Sequence, residues 1–161
     1  MFSTINKKIF TLMKLEDEIS QRTFKNDFHR ATVNIIYTYN WLVNFQMNLL
    51  KPYGLTIQQF NILRILRGQY PNPTTIKLIK ERMLDKMSDA SRIVEKLRLK
   101  GLVDRKECPH ERRKVDVLIT QKGLDLLKET DNHDDELLTK TSSLNAHEIK
   151  QLNELLDKIR G

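Results

Sequence analysis

Residues 87–123, MSDASRIVEKLRLKGLVDRKECPHERRKVDVLITQKG, decide how this chain folds. Ala90, Ile93, Val94 and Leu97 recur at the spacing of one buried helix face, and Ser88 stands ahead of them as a candidate N-cap. Gly101 supplies the stop that a helix C-terminus favours. Leu102–Glu107 and Lys114–Ile119 then read as short strands, with Val115, Val117 and Ile119 alternating with Asp116 and Leu118. Between them lies a basic tip, Cys108-Pro109-His110-Glu111-Arg112-Arg113, and Thr120 opens another helix running toward Leu138. Helix, glycine, hairpin and helix is the order that a helix-turn-helix with a β-wing requires.

Upstream, Thr74 is placed to cap a helix through about Met83, with Ile76, Ile79 and Met83 inward and Lys77, Lys80 and Arg82 outward. Tyr70-Pro71-Asn72-Pro73 is a turn. Thr56-x-x-Gln59 is a capping-box signature for a helix carrying Phe60, Leu63, Ile65 and Leu66 and ending near Gly68. Pro52-Tyr53-Gly54 breaks the chain before it. From Phe28 to Leu50 runs a long apolar pattern: Ala31, Ile35, Tyr39, Leu42, Phe45 and Leu49, with Ile36, Val43, Met47 and Leu50 beside them. Apolar residues on more than one side of so long a helix call for more cover than a small domain provides, and a partner subunit supplies it. Ile5, Ile9, Leu12 and Met13 predict a short helix over 4–14, and the polar LEDEISQR (15–22) a break after it. Asn145-x-x-Glu148 is a second capping box, opening a helix whose narrow stripe is Ile149, Leu152, Leu155, Leu156 and Ile159.

Charge is distributed unevenly. The net charge is +7 and the pI near 9.5. Residues 51–128 hold 18 basic against 9 acidic side chains, whereas 129–161 hold 4 against 8. The excess therefore sits on the segment with the helix and wing pattern, as an anionic partner such as double-stranded DNA requires. In a helix-turn-helix the second helix enters the major groove and reads base edges from its N-terminal turns. Here that helix offers Ser88, Asp89, Ser91 and Arg92 early, then Glu95, Lys96 and Arg98. Arg92 suits bidentate recognition of guanine, and Asp89 suits a cytosine amine. Ser88 and Asp89 equally suit capping of the helix, and the two roles can coexist. Arg112, Arg113 and Lys114 on the wing, with Arg105 and Lys106 nearby, are candidates for the minor groove. Lys77, Lys80 and Lys100 are candidate phosphate contacts.

GLTIQQFNIL, the helix-turn-helix, EKLRLKGLVDR, ERR and LITQKG follow one another in an order that resembles the MarR (multiple antibiotic resistance regulator) family of winged-helix transcription factors. The resemblance covers roughly 30–160, including the closing LNAHEIKQLNELLDKI helix. It implies a mainly α fold with a small β-wing, organised as N-terminal dimerisation helices over 1–50, a winged helix-turn-helix over 51–128 and C-terminal dimerisation helices over 129–161. It also implies an obligate homodimer reading a pseudo-palindromic operator. Such a protein acts as a repressor released by a small aromatic or lipophilic acid or by thiol oxidation. The family's acid-x-Arg wing pair falls on Glu111 and Arg113, with Glu where Asp is usual; Glu111 is thus the wing-shaping candidate.

Other chemistry finds little support. His29, His110, His133 and His147 show no metal-ligand spacing, and His133 with Asp131, Asp134 and Asp135 reads as an acidic surface linker, so neither metal nor cofactor is expected. No phosphate loop, Ser-His-Asp spacing or nucleophile elbow points to an enzyme. The single cysteine, Cys108, permits no intramolecular disulfide and reads as an incidental wing thiol more readily than as an oxidant sensor. No apolar run reaches the ~18–20 residues of a membrane span, and the N-terminus lacks a signal peptide's core, so a cytoplasmic protein without membrane contact is expected. Phe24, Phe28, Tyr37, Tyr39, Trp41, Phe45 and Tyr53 cluster near the first long helix and read as core and interface. A crevice beside that helix would suit an apolar effector, with no residue assigned. Two rivals to a sequence-specific regulator remain: a winged-helix protein-interaction module with an acidic partner, and a non-specific architectural nucleic-acid protein.

Overall fold

The computed structural model describes residues 13–108, 111–131, 135–137, 139 and 143–161; over 106–108 and 111–115 only the backbone is described. The helix expected over 4–14 lies almost wholly outside these residues. Where a polar break was expected, Leu15–Glu18 forms a single turn, α1, with Leu15 buried. Glu16 on this turn pairs with Arg30 (Nε–Oε1 2.6 Å) on α2, Asp27–Leu50. The α2 N-terminus is closed by the Asn26 side chain, which accepts from the His29 amide at 2.9 Å.

The backbone divides into two compact units, Met1–Asn44 and Phe45–Gly161. In the second, a turn of 3₁₀-helix (Lys51–Tyr53) ends at Gly54 with φ 62°, the break expected from Pro52-Tyr53-Gly54. Helix α3, Ile57–Arg67, carries the expected capping box: Thr56 accepts from the Gln59 amide, and Gln59 accepts from the Thr56 amide. Thr74 does not cap the next helix. Thr74–Thr75 form a short strand, β1, and Thr75 caps α4, Ile76–Arg82, by accepting from the Leu78 amide. The extended backbone before a helix can pair with a sheet, and here tertiary pairing selects the second threonine as the cap.

Helix α5, Ala90–Leu99, is followed by β2, Val103–Cys108, and β3, Glu111–Ile119. The sheet runs β1-β3-β2, all antiparallel, with Thr74 opposite Val117 and Arg105 opposite the same residue from the other side. Pairing continues to Cys108 opposite Glu111, with a bulge at Glu107/Cys108. The backbone of Arg112 and Arg113, expected in the basic tip, belongs to β3; Pro109 and His110 of that tip lie outside the described residues. Helix α6, Gln121–Thr130, is capped by Thr120 and stops at Thr130, short of the expected Leu138, which lies outside the description. Helix α7, Ala146–Arg160, has the expected Asn145/Glu148 capping box.

The core of the second unit gathers Leu50, Leu55, Phe60, Ile62, Leu63, Leu66, Ile79, Met83, Val94, Leu97, Val103, Val117, Ile119 and Leu127. It joins the end of α2 to α3, α4, α5, the sheet and α6, a mainly α winged helix with a small antiparallel sheet. Gly123 allows the closest approach: a Cβ there would stand 2.4 Å from the Leu102 carbonyl oxygen and 2.7 Å from Ile119 Cγ1. Among the described residues, no helix is long and apolar enough to cross a membrane.

Candidate nucleic-acid interface

Helix α5 is held from both ends. At its start, Asp89, not Ser88, is the N-cap, accepting from the Arg92 amide at 3.1 Å. Ser88 turns backward, its hydroxyl donating to Asp85 Oδ2 at 2.6 Å, while the Met87 amide donates to Asp85 Oδ1 at 3.0 Å. The Ser88 hydroxyl, and after it the Met87 amide, hold the Asp85 carboxyl below the usual carboxylate range. The Leu84 amide donates to Asn61 Oδ1 of α3, and Lys86 Nζ to the Glu81 carbonyl. The turn between α4 and α5 is thus fixed by hydrogen bonds from three sides.

At the far end, Gly101 takes φ 71° and ends the helix. Lys100 Nζ donates to the Gly54 carbonyl at 2.6 Å and to Gln59 Oε1 at 3.1 Å, and Lys122 Nζ of α6 donates to the Lys100 carbonyl. Lys100, expected at a phosphate, is engaged within the protein, tying α5 to the start of α3. Midway, Glu95 accepts from Arg98 (Nη2–Oε1 2.8 Å) and stands 3.6 Å from Arg105 Nη1 on β2. The Arg98 hydrogen bond, then the nearby Arg98 and Arg105 charges, lower the Glu95 pKa. This bridge fixes the helix to the root of the wing and offsets two of the basic charges around it.

What remains displayed is a narrower set than the sequence suggested. Ser91, Arg92 and Lys96 are exposed on α5. Lys77 and Lys80 are exposed on α4, Lys77 lying 4.0 Å from Glu81, where an exposed pair contributes little. The side chains of Glu111, Arg112, Arg113, Lys114 and Cys108 are not among those described; their backbone places them on the two strands leading to the wing turn. The residues that sequence reasoning passed over are the positioning ones, Asn61, Asp85 and Glu95. Asp85-x-x-Ser88 has the spacing of a side-chain-closed turn and Glu95-x-x-Arg98 that of a helix-face ion pair, and both carried a legible signal; Asn61 acts across elements and carried none.

Among the described residues no three His, Cys, Asp or Glu side chains are grouped to hold a metal ion. His110, His133 and Asp134 lie outside them.

A sheet-backed helix held at both ends, with its outer face basic, invites comparison with known DNA readers. Residues 53–114 match the model of the MarR family. The HTH-type transcriptional regulator MgrA of Staphylococcus aureus is 30% identical over 115 residues, covering 71% of this chain and 76% of MgrA. The chain belongs to the MarR family. Among solved structures, a mutant MarR from E. coli complexed with operator DNA superposes with a TM-score of 0.72 at 23% identity, covering 86% of this chain and 99% of that one. BpsR of Bordetella bronchiseptica, whose DNA binding is regulated by 6-hydroxynicotinic acid, gives 0.69 at 23%, covering 82% and 99%. Both likenesses concern the fold. As a MarR-family member the protein is a DNA-binding regulator of transcription.

Proposed function

We propose that this protein is a homodimeric, sequence-specific repressor that binds a pseudo-palindromic operator and is released by a small aromatic or lipophilic acid. The observation that carries the DNA-reading part is the fixed α5 helix whose outward side chains are Ser91, Arg92 and Lys96. Arg92 is assigned to a base edge, and Ser91 and Lys96 to bases or adjacent phosphates. Lys77 and Lys80 position the module on the backbone. Arg112, Arg113 and Lys114 grip the flanking minor groove, with Glu111 shaping the wing. Asp89 and Ser88 contribute by setting the helix start, and Lys100 by fastening its end.

Dimerisation is assigned to the flanking helices of 1–50 and 129–161, leaving 51–128 to read DNA. Exposed apolar residues support this assignment: Ile35, Ile36, Tyr39, Trp41 and Met47 on α2, and Leu152, Leu155 and Ile159 on α7. Two-fold pairing would set the two α5 helices about 34–36 Å apart, one turn of duplex. Effector release follows if the ligand has different affinities for the DNA-competent and incompetent spacings. BpsR's regulation by 6-hydroxynicotinic acid makes an aromatic acid the first effector class to try. A regulator of this kind works in the cytoplasm, where the DNA is.

The test is fluorescence anisotropy of the full chain on duplexes from the region upstream of its own coding sequence, against competitor DNA, with and without aromatic acids. One or two preferred duplexes surviving competition, and weakened by an acid, are expected. Uniform binding to all duplexes would favour the architectural reading, and no binding the protein-interaction reading. Preferred binding that no acid weakens would remove the release mechanism alone.

A further inference from the structure

Ser88 and Asp89 occupy the sequence positions from which a recognition helix would first read bases, but both polar groups are spent on the protein itself, on Asp85 and on the Arg92 amide. The leading outward side chain at this end of α5 is instead Met87, two residues before the cap and 94% exposed. Single exposed apolar residues are ordinary on protein surfaces. Met87 differs in its setting. Its own amide is bound to Asp85, the next residue is bound to the same carboxylate, and the residue after that caps the helix. An unbranched thioether is thereby carried on a fixed backbone at the tip of the element that enters the groove. Thymine is the base that offers the major groove an apolar group, its C5-methyl. A polarisable, adaptable methionine suits that partner.

We propose that Met87 reads a thymine methyl group at the edge of each half-site, a specificity contact beside the polar reading by Arg92. The proposal rests on the DNA-reading function above. Burying one methyl-sized group corresponds to about a four-fold gain in affinity.

The experiment replaces thymine by deoxyuridine, which pairs identically and lacks only the methyl. A duplex preferred by the full-length protein is obtained by selection from a random library. Each symmetry-related thymine pair is then replaced in turn, and affinity is measured for the wild type, Met87→Ala and Leu84→Ala, the last truncating the other exposed apolar residue of the turn. The expected result is one thymine pair whose replacement, removing two methyl groups, weakens wild type and Leu84→Ala by about fifteen-fold, and leaves Met87→Ala unchanged. Binding that is indifferent to every replacement overturns the contact while leaving the DNA-reading function intact. Sensitivity that persists in Met87→Ala, or vanishes instead in Leu84→Ala, overturns the assignment to Met87. Failure to select any duplex overturns both readings together.

Discussion

Leu97 of α5 and Leu155 of α7 both lie on the apolar stripe of an amphipathic helix, yet Leu97 is wholly buried and Leu155 is 59% exposed. The contrast extends to their surroundings. Around Leu97, four other helices and a sheet contribute to one core, and the helix ends are held by hydrogen bonds donated by Lys100 and Lys122 and one accepted by Asp89. Around α7, no residue is buried, although its capping box is complete. Local signals thus build both helices equally well. Among the described residues, only one of them has its apolar face covered. Helices of this length draw most of their stability from packing of that face rather than from propensity or caps. The difference places the covered core in the winged helix and leaves the α7 stripe as a face on which the proposed assembly rests.

The largest effect is expected at the uncovered face. Replacing Leu155 and Ile159 together by aspartate should convert a dimer to a monomer in sedimentation. In a two-fold interface each change counts twice, so the loss is about 6–12 kcal/mol of association. A wild-type protein that sediments as a single subunit at micromolar concentration would break the contrast outright. Next comes Leu97→Ala, expected to cost about 2–5 kcal/mol of unfolding free energy in urea. If dimer and monomer melt together, the midpoint will depend on protein concentration in wild type and mutant alike; a loss under 1 kcal/mol would show that this core is looser than its burial indicates. Gly123→Ala should cost about 1–3 kcal/mol by forcing α6 away from the Leu102 carbonyl. A near-neutral melting temperature there would mean that α6 and β2 separate freely.

The smallest effect concerns the attachment of α1. The Arg30 hydrogen bond holds the Glu16 carboxyl at about 2, against an ordinary 4.5. Because the folded value is the depressed one, the Glu16–Arg30 attachment is fully present above about pH 4.5. It is lost as pH falls toward 2. An NMR titration of the Arg30 Nε–H signal should follow that loss, and Glu16→Gln should abolish the transition. A titration centred near 4.5 in the wild type would show that the pair does not form in solution.

Much of the interface was legible because it is written locally. The Thr56/Gln59 and Asn145/Glu148 boxes, the positive-φ stop at Gly101 and the buried stripe of α5 depend on residues within four positions of one another. Structure and expectation differ where neighbouring residues compete for one role. Thr74 and Thr75 both suit a cap, and pairing of Thr74 with Val117 left the cap to Thr75. Ser88 and Asp89 both suit a cap, and the hydrogen bond from Ser88 to Asp85 left it to Asp89. Arg112 and Arg113 read as a loop because of their charge; their backbone belongs to β3, but the register passes from Glu107 opposite Val115 to Cys108 opposite Glu111 and gives them no partner on β2.

Composition, periodicity and capping spacing by themselves determined that this chain would be a mainly helical, basic, winged helix-turn-helix protein, for these follow from dihedral preference and from which residues share a face. Which of the candidate reading residues stay free was decided only by the tertiary structure. Lys100 is drawn to Gly54 and Gln59, and Arg105 to Glu95, while Arg92 and Lys96 are left outward. The reason is physical. A charged or polar side chain takes its partner from whatever the fold brings within about 3 Å, and Lys100 meets its partners more than forty positions away in the chain.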